Sequence, residues 1–387
     1  MLFTVPELDD LEIGVLSSID RMRSDLAFEI REPRRWTGLL ARSVYARAIR
    51  GSNSIEGINV SQEDAVAVVA GEDRINASLD NWKAVTGYRT AMDFVLQRAR
   101  DGHFDFSEDL LLSLHFMMIG HDLEKNPGRW RPGDIYVRKD DTGEIVYTGP
   151  DRDGMNDLIT EFLDQTNRSS NSPLLIHAAM THLNFVMIHP FSDGNGRMSR
   201  CLQTAVLARD GIVAPQFSSI EEYIGREQNT QKYYRVLARV GGGKWQPQKD
   251  TRPWIRFCLT AHFRQAATQL RRVDQIRALF DELEKVIHRH KLQERMILAL
   301  ADAALGYRVY NATYRSAAEV SMPQASRDLK ALSDLGLLEP HGQRRGRFYK
   351  SAKEIIEIRN RVIIKKPIRD PFDRKARKEV QRSLPGI

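Results

Sequence analysis

His189-Pro190-Phe191-Ser192-Asp193-Gly194-Asn195-Gly196-Arg197-Met198-Ser199-Arg200 is the stretch on which the reading of this 387-residue chain turns. Upstream, Leu175, Ala179, Leu183 and Val186 form one apolar helical stripe. That helix should end near His189, because proline disfavours helix in the residue before it. A histidine at a helix end, facing a loop, is placed to act rather than to fill a core. Gly194 to Gly196 can turn successive backbone N–H groups outward at the start of the next helix, which makes an anion cradle. Arg197 and Arg200, three apart, share a face of that helix. Two cations and a helix N-terminus imply a polyphosphate, and Asp193 can hold Mg²⁺ against it through oxygen. The set fits phosphoryl or nucleotidyl transfer: His189 as general base, the cradle stabilising the attacked phosphorus oxygens, and Asp193 with Mg²⁺ neutralising the leaving group. Eight specified residues in twelve positions arise by chance on the order of once in a hundred million chains of this length.

Outward from this loop the chain reads as mainly α. Leu11, Val15, Ile19, Met22 and Leu26 make an apolar helical face. Further helices are expected over 37–50 (halting near Gly51), 63–70 (capped by Ser61 and closed by Gly71), 78–100, 107–119, 153–165 and from Ser172-Pro173 onward. Ile135-Tyr136-Val137 and Ile145-Val146-Tyr147, around Asp140-Asp141-Thr142-Gly143, read as a β-hairpin.

The length suggests two or three domains, and 42% hydrophobic with 28% charged residues excludes fibrous and largely disordered classes. Two cysteines, Cys201 and Cys258, cannot build a disulfide framework or a cysteine zinc site, which points to a reducing compartment. No apolar run approaches a membrane span, and Met1 to Glu7 has no basic region, so a cytoplasmic protein without membrane contact is expected. The net charge of +7 is unevenly placed. From His341 onward there are 15 Lys/Arg against 5 Asp/Glu, so the remainder is slightly acidic. Only the tail invites a polyanion.

The loop matches the signature of the Fic (filamentation induced by cAMP) family, His-x-Phe-x-Asp/Glu-Gly-Asn-Gly-Arg-x-x-Arg, at every fixed position. The resemblance covers roughly residues 1–270. It implies a Fic-fold helical bundle with a β-hairpin flap, and transfer of AMP from Mg·ATP to a Ser, Thr or Tyr hydroxyl of a protein, itself included. ATP and Mg²⁺ are the implied cofactors. Carried over, His189 deprotonates the hydroxyl, Asp193 binds metal, and Gly194, Asn195 and Gly196 hold the α-phosphate. Arg197 and Arg200 take the outer phosphates, and Met198 and Ser199 fall within the same nucleotide-binding run. Doc-like kinases carry a lysine near the position of Gly196, so AMP rather than phosphate transfer is implied. The hairpin resembles the family's flap, with Tyr147, Thr148 and Gly149 bordering the nucleotide. Tyr233 and Tyr234 resemble an aromatic pair near adenine, although an asparagine expected shortly after is replaced around Gly241.

Ser52-Asn53-Ser54-Ile55-Glu56-Gly57 fits the family's inhibitory motif, Ser/Thr-x-x-x-Glu-Gly/Asn. About 0.3 matches would arise by chance, so its weight comes from lying upstream of the catalytic helices. It implies that Glu56 pairs with Arg200 and fills the outer-phosphate region; such a glutamate can also orient water for removal of AMP. The expected organisation is 1–110 helical with the inhibitory motif, 111–270 Fic catalytic, 285–352 a winged helix-turn-helix, and 353–387 a basic tail. In the third unit, Leu292–Leu300 and Tyr314–Val320 precede a helix from Ser321 bearing Gln324, Arg327 and Lys330. A wing over Gly342–Tyr349 would bear Arg344, Arg345 and Arg347. DNA could bind there and along Lys365–Arg382, or the unit could recognise a protein target or a second subunit. The different-class alternative is a DNA-binding transcriptional regulator whose Fic domain senses nucleotide. Family habit adds a homodimer.

Overall fold

The computed structural model describes residues 1–373 apart from 32–33, 101–103, 140–141, 169–171, 210–214, 344–345 and 364–366. Among the expected features, Asp140, Asp141, Arg344, Arg345 and about half of the basic tail (364–366 and 374–387) lie outside the described residues. The chain begins with α1 (Asp10–Arg31), α2 (Thr37–Ile55), α3 (Gln62–Ala70), α4 (Leu79–Arg100) and α5 (Glu108–Ile119). The hairpin β1 (Tyr136–Arg138) and β2 (Ile145–Thr148) leads into α6 (Met155–Asn167), α7 (Leu174–Ile188) and α8 (Asn195–Arg209). Then come α9 (Pro215–Ser218), α10 (Glu221–Ile224), α11 (Glu227–Gly241) and α12 (Arg252–Arg289). The C-terminal unit comprises α13 (Ile297–Ala304), β3 (Val309–Tyr310), α14 (Asn311–Ala318), α15 (Met322–Asp334), β4 (Leu338–His341), β5 (Phe348–Ser351) and α16 (Lys353–Val362).

The centre is the pair α7 and α8, which are buried on nearly every side. Nothing polar is needed on α7's outer face because α6 and α12 cover it, while α4 covers α8 and α1 lies on α12. Leu175, Leu183 and Phe185 are fully sequestered, each stabilising by roughly 1.5–3 kcal/mol. The signature loop joins these two core helices, so its position is set by the most densely packed part of the molecule.

Local signals placed most ends correctly. The Ser61 hydroxyl accepts the Asp64 N–H at 2.9 Å, and Gly71, at φ +70°, closes α3 in the left-handed region. Ser107 and Ser321 cap α5 and α15 in the same way. The hairpin pairs Tyr136 with Thr148 and Val137 with Tyr147, with a bulge before Arg138. Beyond the hairpin, Thr148 bridges in parallel to Lys244. In the C-terminal unit the antiparallel order is β3-β5-β4. Its two longer strands are Leu338–His341 and Phe348–Ser351, flanking and overlapping the Gly342–Tyr349 segment singled out in the sequence. The single helix α12 runs through 270–285, the interval between the two expected units.

One boundary was misjudged for an instructive reason. Gly51 does not halt α2; the helix continues to Ile55 and stops at Glu56-Gly57, with Gly57 at φ +74°. Gly51 is present because α2 crosses α10 backbone to backbone. A Cβ there would stand 2.5 Å from the Glu221 carbonyl oxygen, and one on Gly225 would stand 2.5 Å from Gly51 Cα. Gly51→Ala should therefore cost about 1–3 kcal/mol by overpacking. Gly38→Ala, in the same helix with open space around it, should be neutral or better. Urea unfolding of the two variants checks this, and equal stabilities would contradict the close crossing.

Candidate active site

His189 is the C-cap of α7 and adopts φ +53°, ψ +57°, a conformation uncommon outside glycine. Its own N–H bonds to the Phe185 carbonyl at 3.1 Å, and its ring Nδ1 lies 3.0 Å from the Val186 carbonyl. A carbonyl only accepts, so Nδ1 carries the proton and Nε2 keeps its lone pair. Burial lowers the histidine's pKa, only partly offset by that bond and by Glu56. A neutral imidazole with a free Nε2 is the state a general base requires.

Asn195 closes the loop on itself. Its carboxamide accepts the Phe191 N–H at 2.9 Å and donates to the Phe191 carbonyl at 2.8 Å. Gly194, at φ +80°, turns the chain into α8 where a Cβ would meet Ile119 at 2.9 Å. Met198 belongs to the core, and the Ser199 hydroxyl donates to the Gly196 carbonyl at 2.8 Å. The side chains of Asn195, Met198 and Ser199 thus serve the fold of the loop rather than reaching for a ligand. Arg197 is nearly buried, and neither its Nε nor its Nη1 has a partner among the described residues. Arg200 Nη1 is likewise unpartnered. Three dry guanidinium nitrogens around one glycine turn are donors awaiting acceptors.

The Ser52–Gly57 stretch meets this glycine turn directly. Arg200 Nη2 donates to Glu56 Oε1 at 2.7 Å and to the Ser52 carbonyl at 2.9 Å, while its Nε donates to Ser52 Oγ at 2.8 Å. Burial acts to lower the Arg200 pKa, but Glu56 and the neighbouring tyrosines outweigh it and raise it. A Cβ built on Gly196 would overlap Glu56 Oε1, so the carboxylate lies against the glycine turn itself. Gly57 supplies the left-handed residue that ends α2 with Glu56 in this place.

Asp193 faces Lys125, whose Nζ is 2.7 Å from Oδ2, with Arg197 Nη2 at 4.0 Å. Burial alone would raise the Asp193 pKa; the Lys125 bond and Arg197 reverse this and hold it low. Among the described residues no three His, Cys, Asp or Glu side chains converge on a metal position. A lone anionic oxygen donor suits Mg²⁺, which takes its other oxygens from phosphates and water. Lys125 occupies the carboxylate that such an ion would use.

The remaining expected residues divide their roles. Tyr147 donates to the Met187 carbonyl at 2.8 Å and lies against Gly241. The Thr148 N–H bonds to the Gly243 carbonyl, and the Gly149 N–H to that of Ile135. Tyr233 packs with Trp254 and Phe257, and its hydroxyl is 3.0 Å from His182 Nε2. The Tyr234 hydroxyl donates to the Ile55 carbonyl at 2.8 Å, next to Glu56. Two residues escaped the sequence reading. Arg131 is buried and donates to the Pro150 carbonyl at 2.6 Å, while its N–H bonds to that of Pro190, tying the hairpin's base to the loop. His115 stacks on Phe191 at 3.7 Å and 4°. Its Nδ1 accepts the Gly128 N–H at 2.9 Å, so Nε2–H donates to the Asp193 carbonyl at 3.0 Å. The one available signal was a lone imidazole in the apolar run Leu110–Ile119.

With this geometry in place, known proteins can be compared. Residues 105–207 match the family model described as Fic/DOC family. The chain carries a Fic domain. It is 27% identical over 258 residues to a Nematostella vectensis protein named protein adenylyltransferase Fic, covering 65% of this chain and 55% of that protein. A protein of the same name from Aedes aegypti is 28% identical over 221 residues, covering 56% and 40%. The chain therefore spans about half the length of the curated relatives it matches. Among solved structures, a Fic family protein from Desulfovibrio desulfuricans G20 superposes with a TM-score of 0.57 at 22% identity, over 90% of this chain and 98% of that one. A Fic domain containing signaling protein from Bacteroides thetaiotaomicron gives 0.56 at 18% identity, over 66% and 96%. These establish a mainly helical Fic fold. No helix among the described residues is long and apolar enough to cross a membrane.

The Fic loop's clasp by His115 has a pH signature. Burial pushes the His115 pKa to about 4, below its ordinary 6.5 in the unfolded chain. The unfolded state then binds the extra proton, so this stability is complete above pH 6.5 and is lost as pH falls towards 4. At pH 5 the loss is about 2 kcal/mol. His115→Gln should shrink the difference in unfolding free energy between pH 7 and pH 5 by that amount. An unchanged difference would refute the assignment.

Proposed function

We propose that this chain is a protein adenylyltransferase that moves AMP from ATP to a hydroxyl of a protein substrate, and that Glu56 restrains it. The observation that carries the reading is the ion pair between Glu56 and Arg200 beside three guanidinium nitrogens, Arg197 Nε and Nη1 and Arg200 Nη1, that have no partner among the described residues. A phosphate chain would satisfy those nitrogens, with α8's first N–H groups beside it. The target hydroxyl would give its proton to His189 Nε2 as its oxygen attacks the α-phosphorus. A phosphodiester to AMP forms, the bond to the β-phosphate oxygen breaks, and pyrophosphate leaves. Asp193, released from Lys125, would hold Mg²⁺, which supplies charge neutralisation on the phosphates. Arg197 and Arg200 would orient the outer phosphates.

The brake is electrostatic and steric together. A charge-assisted Arg–carboxylate contact away from bulk water competes well with a phosphate oxygen. It also fills the space beside Gly196, so a bound ATP must shift. Misplacing the reacting phosphorus by about 1 Å can cost roughly a hundredfold in rate. The target's backbone has a natural seat along the hairpin, where exposed Tyr136 and Ile145 flank an edge suited to strand addition.

We read the C-terminal unit as a winged helix-turn-helix. On α15, Gln324 donates to Asp328, Arg327 donates to Gln324, and Lys330 pairs with Asp334. Donors spent within their own helix favour a protein partner over base reading in DNA.

Intact mass after incubation with ATP and Mg²⁺ tests the transferase and the brake together. Glu56→Gly should gain about 329 Da per AMP, whereas wild type and Glu56→Gly/His189→Ala should not. Equal labelling of wild type and Glu56→Gly would remove the brake, and a gain of about 80 Da would mean kinase chemistry. The released variant should also lose rate on the acid side with an apparent pKa below 6.5, because burial lowers that of His189 and only its neutral form accepts the proton. A rate–pH profile with its acid limb above 6.5 would refute His189 as that base.

A further inference from the structure

The face of α2 turned away from Arg200 borders a cavity of about 770 Å³. At 100° per residue, Ser52 and Glu56 point one way, while Arg47, Arg50, Gly51 and Ser54 point the other. The far walls come from α10, α12 and α16, with Leu305 of the C-terminal unit. Six arginines line it: Arg47, Arg50, Arg226, Arg271, Arg272 and Arg359. Among the described lining residues the only acid is Glu222.

Glu222 cannot balance that charge. Its carboxylate engages Arg272 on both oxygens and Arg226 at 3.4 Å. Arg47 makes its one hydrogen bond among the described residues to the Ser43 hydroxyl at 3.5 Å and shares the Glu222 charge with Arg272 and Arg226, while Arg50 Nε donates to the neutral Val60 carbonyl at 2.9 Å. Arg359 has no ion pair among the described residues. Burial lowers the Arg271 pKa, and Arg272 and Arg226 lower it further by repulsion. Gln62, also on the wall, has neither its amide nitrogen nor its amide oxygen bonded. Cations gathered in a partly enclosed space cost free energy unless an anion joins them. The volume is that of a small-molecule site, closed on several sides, which excludes a duplex backbone.

We propose that this cavity binds a small molecule carrying two or more phosphate groups, held by arginine forks from α2, α12 and α16. Several dispersed guanidinium groups suit a chain of phosphates better than one, since each phosphate can accept from a different fork. The aliphatic wall of Leu40, Ile276, Leu279 and Leu305 leaves room for an apolar or base-like part. Such a ligand would bridge α2 to α12 and α16 while Glu56 rests on Arg200. Its binding therefore holds α2 in place and deepens the restraint. That consequence rests on the brake proposed above; the binding itself does not, and a chain without transferase activity would still bind.

Calorimetry on the full chain with inorganic tripolyphosphate tests the site. Wild type and Arg197→Ala should bind one equivalent, and Arg47→Gln/Arg359→Gln should bind at least roughly tenfold more weakly. Retention by the double variant with loss in Arg197→Ala would place the anion in the catalytic cradle and overturn the proposal. Absence of binding to folded wild type, checked by circular dichroism, would overturn it as well. Guanosine diphosphate titrated in parallel separates the sources: tighter binding than tripolyphosphate favours a nucleotide, weaker binding a free polyphosphate. Amide exchange across α2 should slow on binding, and unchanged exchange would sever the link to the brake.

Discussion

Arg200 is a fully buried cation, and much of the molecule is arranged so that it is never left alone. Removing its charge from water costs several kcal/mol, which only close acceptors can offset. Ser52 supplies two and Glu56 the third, all from the last turns of α2. The last turns of α2 are thus bound into the same core as α7 and α8, although 144 residues separate Glu56 from Arg200 in sequence. Releasing Glu56 without supplying another anion would leave that charge unbalanced.

The same helix meets two different environments. One face closes the cradle, and the other looks onto an arginine-lined cavity. Between them, Gly51 lets α2 touch the backbone of Glu221 and Gly225. That crossing fixes the helix one turn before its end, while the Tyr234 hydroxyl holds the Ile55 carbonyl at the end itself. A shift of α2 along its axis would break both contacts before moving Glu56 far.

The sequence carried the parts of this structure whose causes are local. Serine caps, glycine stops and the apolar period placed most helices, and the signature loop named its own residues. What remained hidden depends on neighbours far along the chain. Gly51 looked like a helix stop because its true reason, the backbone of Glu221, is 170 residues away. Tyr233 and Tyr234 look equivalent in a dipeptide, yet one fills an aromatic core and the other holds α2. His115 and Arg131 belong to no motif; only the folded chain shows that each grips the loop, at Asp193 and Pro190. The cavity's six arginines come from four separate segments and give no pattern in one dimension.

The length of α12 has a mechanical meaning. Thirty-eight residues of continuous helix span about 57 Å. Near its start this rod packs on α7, whose end bears His189, and towards its other end on α13 and α16. A strut of that kind transmits no slack, so anything gripped by the C-terminal unit is held at a set reach from the imidazole. If the target proposed above is gripped there, such an arrangement works as a ruler: hydroxyls would be sorted by their distance from the gripped surface, before any local sequence around them is read.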